Sequence, residues 1–132
     1  MSQAFGSDVR LRTRAEFDHV QRGGRRVSLR VLTMVGRPNA LARDRLGIIA
    51  SRKIGGAVVR NRAKRRIREI FRRDHPDAVQ TRGERALDIV VIARQAMVEA
   101  DYAVIEAEFR AALRTLRGAA AGAPALQTRG AK

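Results

Sequence analysis

Several residue types are scarce or missing in this 132-residue chain, and each absence narrows what it can do. There is no cysteine, so disulfides and thiolate metal sites are excluded and nothing requires an oxidising compartment. No apolar run reaches the ~20 residues needed to cross a bilayer. Residues 1–8 lack the basic and apolar regions of a secretion signal. We therefore expect a cytoplasmic protein without a membrane partner.

Acidic side chains are also few. The chain has 28 Lys and Arg against 13 Asp and Glu, which gives a formal net charge of +15 at pH 7. A charge of this sign and size attracts a polyanion or an acidic membrane surface, but it does not specify a fold. With 45% hydrophobic residues, the chain can fill the core of one small domain.

The spacing of apolar residues divides the chain into helices and strands. Thr13 and Glu16 have the spacing of a capping box, which predicts that a helix begins there. Elsewhere, a period of two or a continuous apolar run predicts a strand, and spacings of three and four predict a helix. We predict helices over residues 14–22, 56–73 and 101–117 and strands over 27–35, 46–51 and 86–93, the last buried on both faces. This order predicts an α/β (α+β) two-layer sandwich.

The same pattern predicts a single domain over residues 11–117. A flexible segment over residues 1–10 precedes it. Gly118 is predicted to end the last helix, and the Ala- and Gly-rich composition of residues 118–132 predicts a disordered tail, because it cannot bury a core.

The strongest functional signal is the run from Arg60 to Arg73, in which eight residues are cationic and only Glu69 is acidic. If Ala63 and Ile67 face a core, the cations cover the rest of a helix. Like charges four residues apart each cost roughly 0.2–0.5 kcal/mol in an isolated helix. Because acidic residues are not interleaved with the cations, the run favours a polyanionic partner over an ordinary solvated surface.

A glycine pair, Gly55 and Gly56, lies just before this helix. Glycines at a helix N-terminus let a phosphate approach free backbone amides. Glycine also supplies tight turns, which needs no ligand. The pair is compatible with both interpretations, and the spacing excludes a Walker loop.

Residues 45–69, which read RLGIIASRKIGGAVVRNRAKRRIRE, resemble the signature of the ribonuclease P protein family. The central Arg60, Asn61 and Arg62 match the core of that signature fully. The resemblance extends to Phe17 with the two residues before it and to residues 88–94, so it covers most of the chain from about residue 11 to residue 116.

The resemblance implies the element order αβββαβα with a left-handed βαβ crossover. It also implies an RNA-binding domain that serves as the protein subunit of a ribonucleoprotein endoribonuclease. Its partners would be the catalytic RNA and the 5′ leader of precursor tRNA, with no obligate protein partner. In this family the RNA subunit, with bound Mg²⁺, cuts the leader to give the mature tRNA 5′ end, and no organic cofactor is implied.

The resemblance also places binding residues. Contacts to the catalytic RNA fall on Arg60, Asn61, Arg62, Lys64, Arg65, Arg66, Arg68 and Arg72. The leader or substrate surface falls on Phe17, Arg52, Lys53 and Val35. Phe17 could stack on a base or pack in the core. Gln21 and Val35 stand where many relatives have aromatics, so we expect leader recognition here to depend less on stacking.

The sequence offers no catalytic residue. It has no cysteine and no convincing acidic cluster, and its histidines, His19 and His75, are far apart in unrelated contexts. His19 is expected on the surface, and His75, before Pro76, is expected at a helix end. We predict a non-catalytic polypeptide with no metal site of its own.

Two other classes of protein share this composition. A ribosomal RNA-binding protein is equally small, basic and free of cysteine, and only the signature over residues 53–68 separates the two. A basic amphipathic helix can also lie on anionic lipid. The narrow apolar stripe of this helix, which has no Trp, argues instead for packing on a sheet.

Overall fold

A computed structural model gives the fold and describes residues 10–41, 43–74 and 86–120. The elements follow the order αβββαβα, as expected. They are α1 (Arg14–Gly23), β1 (Arg25–Ser28), β2 (Leu32–Pro38), β3 (Arg45–Ile49), α2 (Ala57–Asp74), β4 (Leu87–Ala93) and α3 (Tyr102–Ala120), with short 3₁₀ helices at Arg52–Ile54 and Gln95–Glu99.

The four strands form one sheet in the order β1-β2-β4-β3. β2 pairs antiparallel with β1 and β4, whereas β3 and β4 are parallel. Parallel strands need a crossover connection, and α2 lies in it. The mixed α+β class is therefore confirmed, and the left hand of this crossover stays an expectation from the resemblance.

The two faces of the sheet carry separate cores. Met34 of β2 and Ile89 of β4 pack with the buried stripes of α2 and α3, including Ile67 and Phe109. On the other face, α1 covers a smaller cluster of Leu11, Val20, Val35 and Val90. β4 is buried along almost its whole length, which confirms the prediction of burial on both faces. None of the helices in the described ranges is long and apolar enough to cross a bilayer.

The predicted strand over residues 27–35 is wrong in one respect. It is a hairpin of two strands, β1 and β2, closed by a hydrogen bond from the Leu29 amide to the Leu32 carbonyl at 2.8 Å. Val27 is opposite Met34, and Ser28 is opposite Thr33. The turn contains Leu29 and Val31, which continue the alternation, so the pattern conceals it.

The last helix also extends beyond its predicted end. α3 continues to Ala120, so Gly118 does not stop it. The predicted disordered tail therefore begins with helical residues. The rest of it, residues 121–132, lies outside the described residues. The same is true of His75 and of residues 1–9 of the predicted flexible segment.

A buried ion pair joins the end of α3 to the segment before β3. Arg117 donates through Nη2 to Asp44 Oδ2 at 2.8 Å and through Nη1 to Asp44 Oδ1 at 3.1 Å. The Leu87 amide donates to Asp44 Oδ1 at 2.8 Å. The Asp44 side chain has 0% exposure and that of Arg117 has 17%. One carboxylate therefore joins α3, the start of β3 and the start of β4.

Candidate nucleic-acid interface

The exposed face of α2 carries cations that have no partner in the part of the chain that the structure describes. Ala63 and Ile67 are buried against the sheet, and Asn61, Arg62, Arg65 and Arg68 are exposed as a result. Within the described residues, the side chains of Arg62, Arg65 and Arg68 form no ion pair or hydrogen bond. These charges are consequently free to bind an external anion.

The C-terminal part of α2 is different. Arg72 forms an ion pair with Glu69. Arg73 is 3.5 Å from Glu106 and lies over the Tyr102 ring at 5.8 Å from its centroid. These cations hold α2 to itself and to α3, so the cations without a partner among the described residues lie between Arg62 and Arg68.

Arg60 and Arg66 are both half-buried. Arg66 Nη1 donates to the Ala100 carbonyl at 3.4 Å. The Arg60 Nε atom is buried with no hydrogen-bond partner among the described atoms. Of the eight residues predicted to bind the catalytic RNA, Arg60, Lys64 and Arg66 are half-buried, and the other five are exposed.

The loop before α2 presents two more cations. Arg52 and Lys53 are exposed on a 3₁₀ helix that Ser51 caps by accepting from the Lys53 amide at 3.3 Å. Ile54 is buried and anchors the loop to the core. Gly55 has a φ of 148°, and a Cβ built there would lie 2.9 Å from the Val59 Cβ. The turn therefore requires glycine at this position, and a phosphate contact there stays a prediction.

Phe17 lies on the other side of the sheet, on the first turns of α1. The predicted capping box is present: the Glu16 amide donates to the Thr13 hydroxyl at 3.1 Å, and the Thr13 amide donates to Glu16 Oε1 at 3.0 Å. Amide donation from Arg12, then from Thr13, lowers the pKa of the Glu16 carboxyl below its ordinary value. The carboxylate stays ionised near neutral pH and fixes the helix start that carries Phe17.

The Phe17 ring rests on Gly47 of β3. A Cβ built at Gly47 would lie 2.6 Å from Phe17 Cζ, so only glycine lets the ring lie so close to the strand. The ring is half-buried and packs against the cluster beneath α1. Phe17 therefore has one side packed on the core and one side exposed. This arrangement is compatible both with core packing and with stacking on a base.

The prediction that Val35 belongs to the leader surface is wrong. It lies on the face of the sheet that α1 covers, but its exposure is 0% because it packs beneath α1 with Val20 and Val90. A side chain without exposed surface cannot contact an RNA strand, so Val35 is not part of the leader surface. Partly exposed apolar side chains on this face belong instead to Ile49 and Ile92.

A groove at the outer edge of β3 brings Phe17 and α2 together, which the sequence did not predict. It encloses about 290 Å³ and is lined by residues before α1, by β3 and by α2. The lining residues are Arg10, Leu11, Arg12, Phe17, Leu46, Gly47, Ile48, Lys64 and Arg68. Arg10 pairs with Leu46 beside the strand, and the Leu11 amide donates to the Leu46 carbonyl at 3.0 Å. The alternation of charged and apolar residues at Arg10, Leu11 and Arg12 is the sequence signal that could have predicted this extended segment beside β3.

Acid–base and metal chemistry have few candidates here. His19 is exposed, as predicted. In the ranges that the structure describes, no three His, Asp or Glu side chains lie close enough to hold a metal ion.

The fold and this surface together define a small, strongly basic α+β protein with a cationic helix. Comparison with known proteins narrows the class. Residues 5–117 match the model of the family described as Ribonuclease P. A Ribonuclease P protein component of Clostridium botulinum is 36% identical over 97 residues, covering 74% of this chain and 84% of that protein. One from Thermotoga maritima is 38% identical over 99 residues, covering 75% and 80%.

A solved structure agrees with the sequence relatives. The RNase P protein of Staphylococcus aureus is similar with a TM-score of 0.69 and 33% identity, covering 80% of this chain and 93% of that one. The chain therefore belongs to the ribonuclease P protein family. It is a protein subunit of the tRNA 5′-processing ribonucleoprotein, which functions with an RNA subunit.

Proposed function

We propose that this chain binds the catalytic RNA through α2 and binds the 5′ leader of precursor tRNA near Phe17, while the RNA subunit performs the endonucleolytic cut. The observation that carries the proposal is that Arg62, Arg65 and Arg68 of α2 are exposed and have no partner among the described residues. Reconstitution with the cognate RNA, followed by a leader-removal assay at low Mg²⁺, tests it.

The energetics of α2 support a polyanionic partner. Arg60, Lys64 and Arg68 are spaced four residues apart, so each repels its neighbour while the protein is free. RNA phosphates would replace this repulsion with attraction and release counterions from the RNA. Arg52 and Lys53, on the loop beside the helix, extend the same field toward the substrate.

The Mg²⁺ needed for hydrolysis is assigned to the RNA subunit. Mg²⁺ prefers oxygen ligands, keeps several waters and commonly binds phosphates. The described side chains include no acidic cluster for it. The role of the protein is then to lower the repulsion between two RNAs and to add affinity for the substrate.

Arg65→Ala is expected to weaken assembly with the catalytic RNA without destabilising the protein. Arg65 is exposed and has no partner in the described part of the chain, so its loss should change the free energy of unfolding by no more than ~0.5 kcal/mol. Each lost phosphate contact should flatten the slope of log K against log salt by roughly 0.7–0.9. Protein–RNA binding titrations at several salt concentrations measure this slope.

Arg114→Ala is the matched control for that titration. Arg114 is an exposed arginine on α3, so the variant loses the same charge outside the proposed surface. If both variants shift binding equally, the effect of Arg65 is one of net charge and the assignment of α2 is wrong.

Phe17→Ala is expected to lower the affinity of the holoenzyme for precursor tRNA while affinity for mature tRNA is retained. Stacking of a base on an aromatic ring is worth ~1–3 kcal/mol, so the ratio of the two affinities should fall at least about fivefold. No charge is lost, so the salt dependence should not change. Binding of matched precursor and mature tRNAs measures the ratio.

Stability must be followed in the same variant, because Phe17 also packs on the cluster beneath α1. Phe17→Leu keeps much of that packing but removes the aromatic ring. Equal loss of affinity for precursor and mature tRNA in both variants would mean that Phe17 is purely a core residue.

A further inference from the structure

We propose that β1, with the turns on either side of it, binds the phosphate backbone of a double-helical part of the RNA subunit, at a contact separate from α2. The surface consists of Arg22, Arg25, Arg26 and Arg30, and we call it the β1 arginine edge. It goes beyond the proposed function, because it depends neither on the assignment of α2 nor on that of Phe17.

The segment that carries this surface is a second part of the chain without acidic residues. Between Asp18 and Asp44 the sequence has six arginines and no Asp or Glu. The four arginines of the edge are exposed, and their side chains form no ion pair or hydrogen bond within the described ranges. A solvated surface normally mixes charges of both signs, so these cations repel one another until an anion binds.

The sheet arranges the cations around one edge. Among the described strands, β1 pairs with β2 alone. Arg26 is opposite Val35, which α1 covers, and Arg25 is opposite Gly36, on which Leu116 of α3 rests. Because opposite residues of an antiparallel pair project to the same face, Arg26 lies on the α1 side of the sheet and Arg25 on the α3 side. The charges therefore surround the edge of the sheet and do not line a cleft.

The hairpin turn continues the surface. Arg30 is exposed at its tip. Arg94, which is also exposed, donates through Nη1 to the Leu29 carbonyl at 3.0 Å, so a further guanidinium lies beside the turn. On the α3 side, Glu108 Oε1 accepts from the Val31 amide at 2.9 Å. This carboxylate holds the turn on α3 and forms no ion pair with Arg30 in the described structure.

The chemistry of the edge fits a double helix of RNA and not a single strand. Single strands are bound largely by stacking their bases on aromatic rings. Phe71 and Phe109 are buried, and Tyr102 lies against Arg73 of α2. Phe17 rests on β3 at the other edge, so the described residues place no exposed ring beside β1. Arginine forks onto phosphate oxygens, and duplex RNA is recognised through its phosphates and 2′-hydroxyls.

The edge is also distant from α2. β1 and β3 lie at opposite ends of the sheet, three strand spacings or about 14 Å apart, and α2 follows β3 in the chain. Two contacts on opposite sides of the protein would fix its orientation on the RNA subunit. The second contact would also form at a high effective concentration once the first is made.

Assembly with the catalytic RNA is measured for Arg25→Ala, Arg26→Ala and Arg30→Ala, with Arg114→Ala as the control for net charge. Each edge variant should weaken assembly about two- to fivefold at low salt and flatten the slope of log K against log salt by roughly 0.9, the value for a duplex. Arg114→Ala should change neither. Arg26→Lys, which keeps the charge, should recover the slope. The ratio of precursor to mature tRNA affinity should stay constant, and melting curves establish that each variant is folded.

A tethered probe locates the contact on the RNA. Because the chain has no cysteine, one introduced thiol can carry an iron chelate that cleaves the RNA near it. Ser28 is exposed on β1 and Ala107 is exposed on α3, so Ser28→Cys reports on the edge and Ala107→Cys is its control. The Ser28→Cys holoenzyme should cut both strands of one helix of the catalytic RNA, and adding Arg26→Ala and Arg30→Ala should weaken those cuts.

Two outcomes would overturn this inference. Cuts confined to the leader, with a lower ratio of precursor to mature tRNA affinity in the edge variants, would assign the edge to the substrate. Cuts no stronger than those from Ala107→Cys, with salt slopes equal to that of Arg114→Ala, would make the edge an ordinary solvated surface. Arg65→Ala tests α2 separately, so the edge and the proposed function can each fail alone.

Discussion

Protein freed of RNA is expected to leave precursor tRNA uncut at any Mg²⁺ concentration, and addition of the cognate catalytic RNA should restore leader removal. The chain has no cysteine, and the described residues offer no cluster of acids and histidines to activate water. Because enzymatic rate enhancements start at about 10⁶-fold, the difference should be all or none in a gel assay of labelled precursor.

The preparation decides whether that assay is meaningful. A protein with a net charge of +15 retains nucleic acid during purification, so it must be purified under denaturing conditions, treated with nuclease and refolded. Treating the reconstituted holoenzyme with nuclease provides the reverse control. Cleavage by RNA-free protein at the holoenzyme rate would refute the assignment of catalysis to the RNA.

Arg117→Ala is expected to destabilise the fold more than removal of any exposed arginine. It removes the guanidinium group that pairs with the Asp44 carboxylate, whose side chain has 0% exposure. Removing one partner of a buried ion pair typically costs about 3–5 kcal/mol. For a domain of this size the melting temperature should fall by at least about 10 °C, as thermal and denaturant unfolding would measure.

Two further variants separate this explanation from a general effect of charge. Arg114→Ala removes an exposed arginine from the same helix and should change the melting temperature little. Asp44→Asn removes the buried charge itself, so its cost should be smaller than that of Arg117→Ala. If Arg117→Ala and Arg114→Ala melt alike, the ion pair contributes nothing to stability.

Local signals in the sequence were sufficient for most of the helices and strands. Thr13 and Glu16 are three residues apart, and their reciprocal hydrogen bonds are determined by that spacing alone. The spacing of the apolar residues Ala63 and Ile67 likewise predicts which face of α2 is buried. The hairpin within residues 27–35 was missed because Leu29 and Val31 give no turn signal.

What the sequence could not provide were contacts between distant segments. Asp44 and Arg117 are 73 residues apart, and nothing near either one indicates the other. The period of two placed Val35 on a strand, but its burial depends on where α1 packs. The groove joins residues from three separate segments, so α2 and Phe17 could only be assigned as independent surfaces from sequence.

The position of β4 has a consequence for how the protein is made. β4 lies between β2 and β3 in the sheet, yet it follows both of them in the chain. Among the described strands, β3 has no partner except β4, so the sheet cannot close until residues 87–93 have left the ribosome. Until then α2 exposes both its apolar stripe and its cations, and we expect the nascent chain to stay unfolded, and open to capture by chaperones, until β4 has emerged.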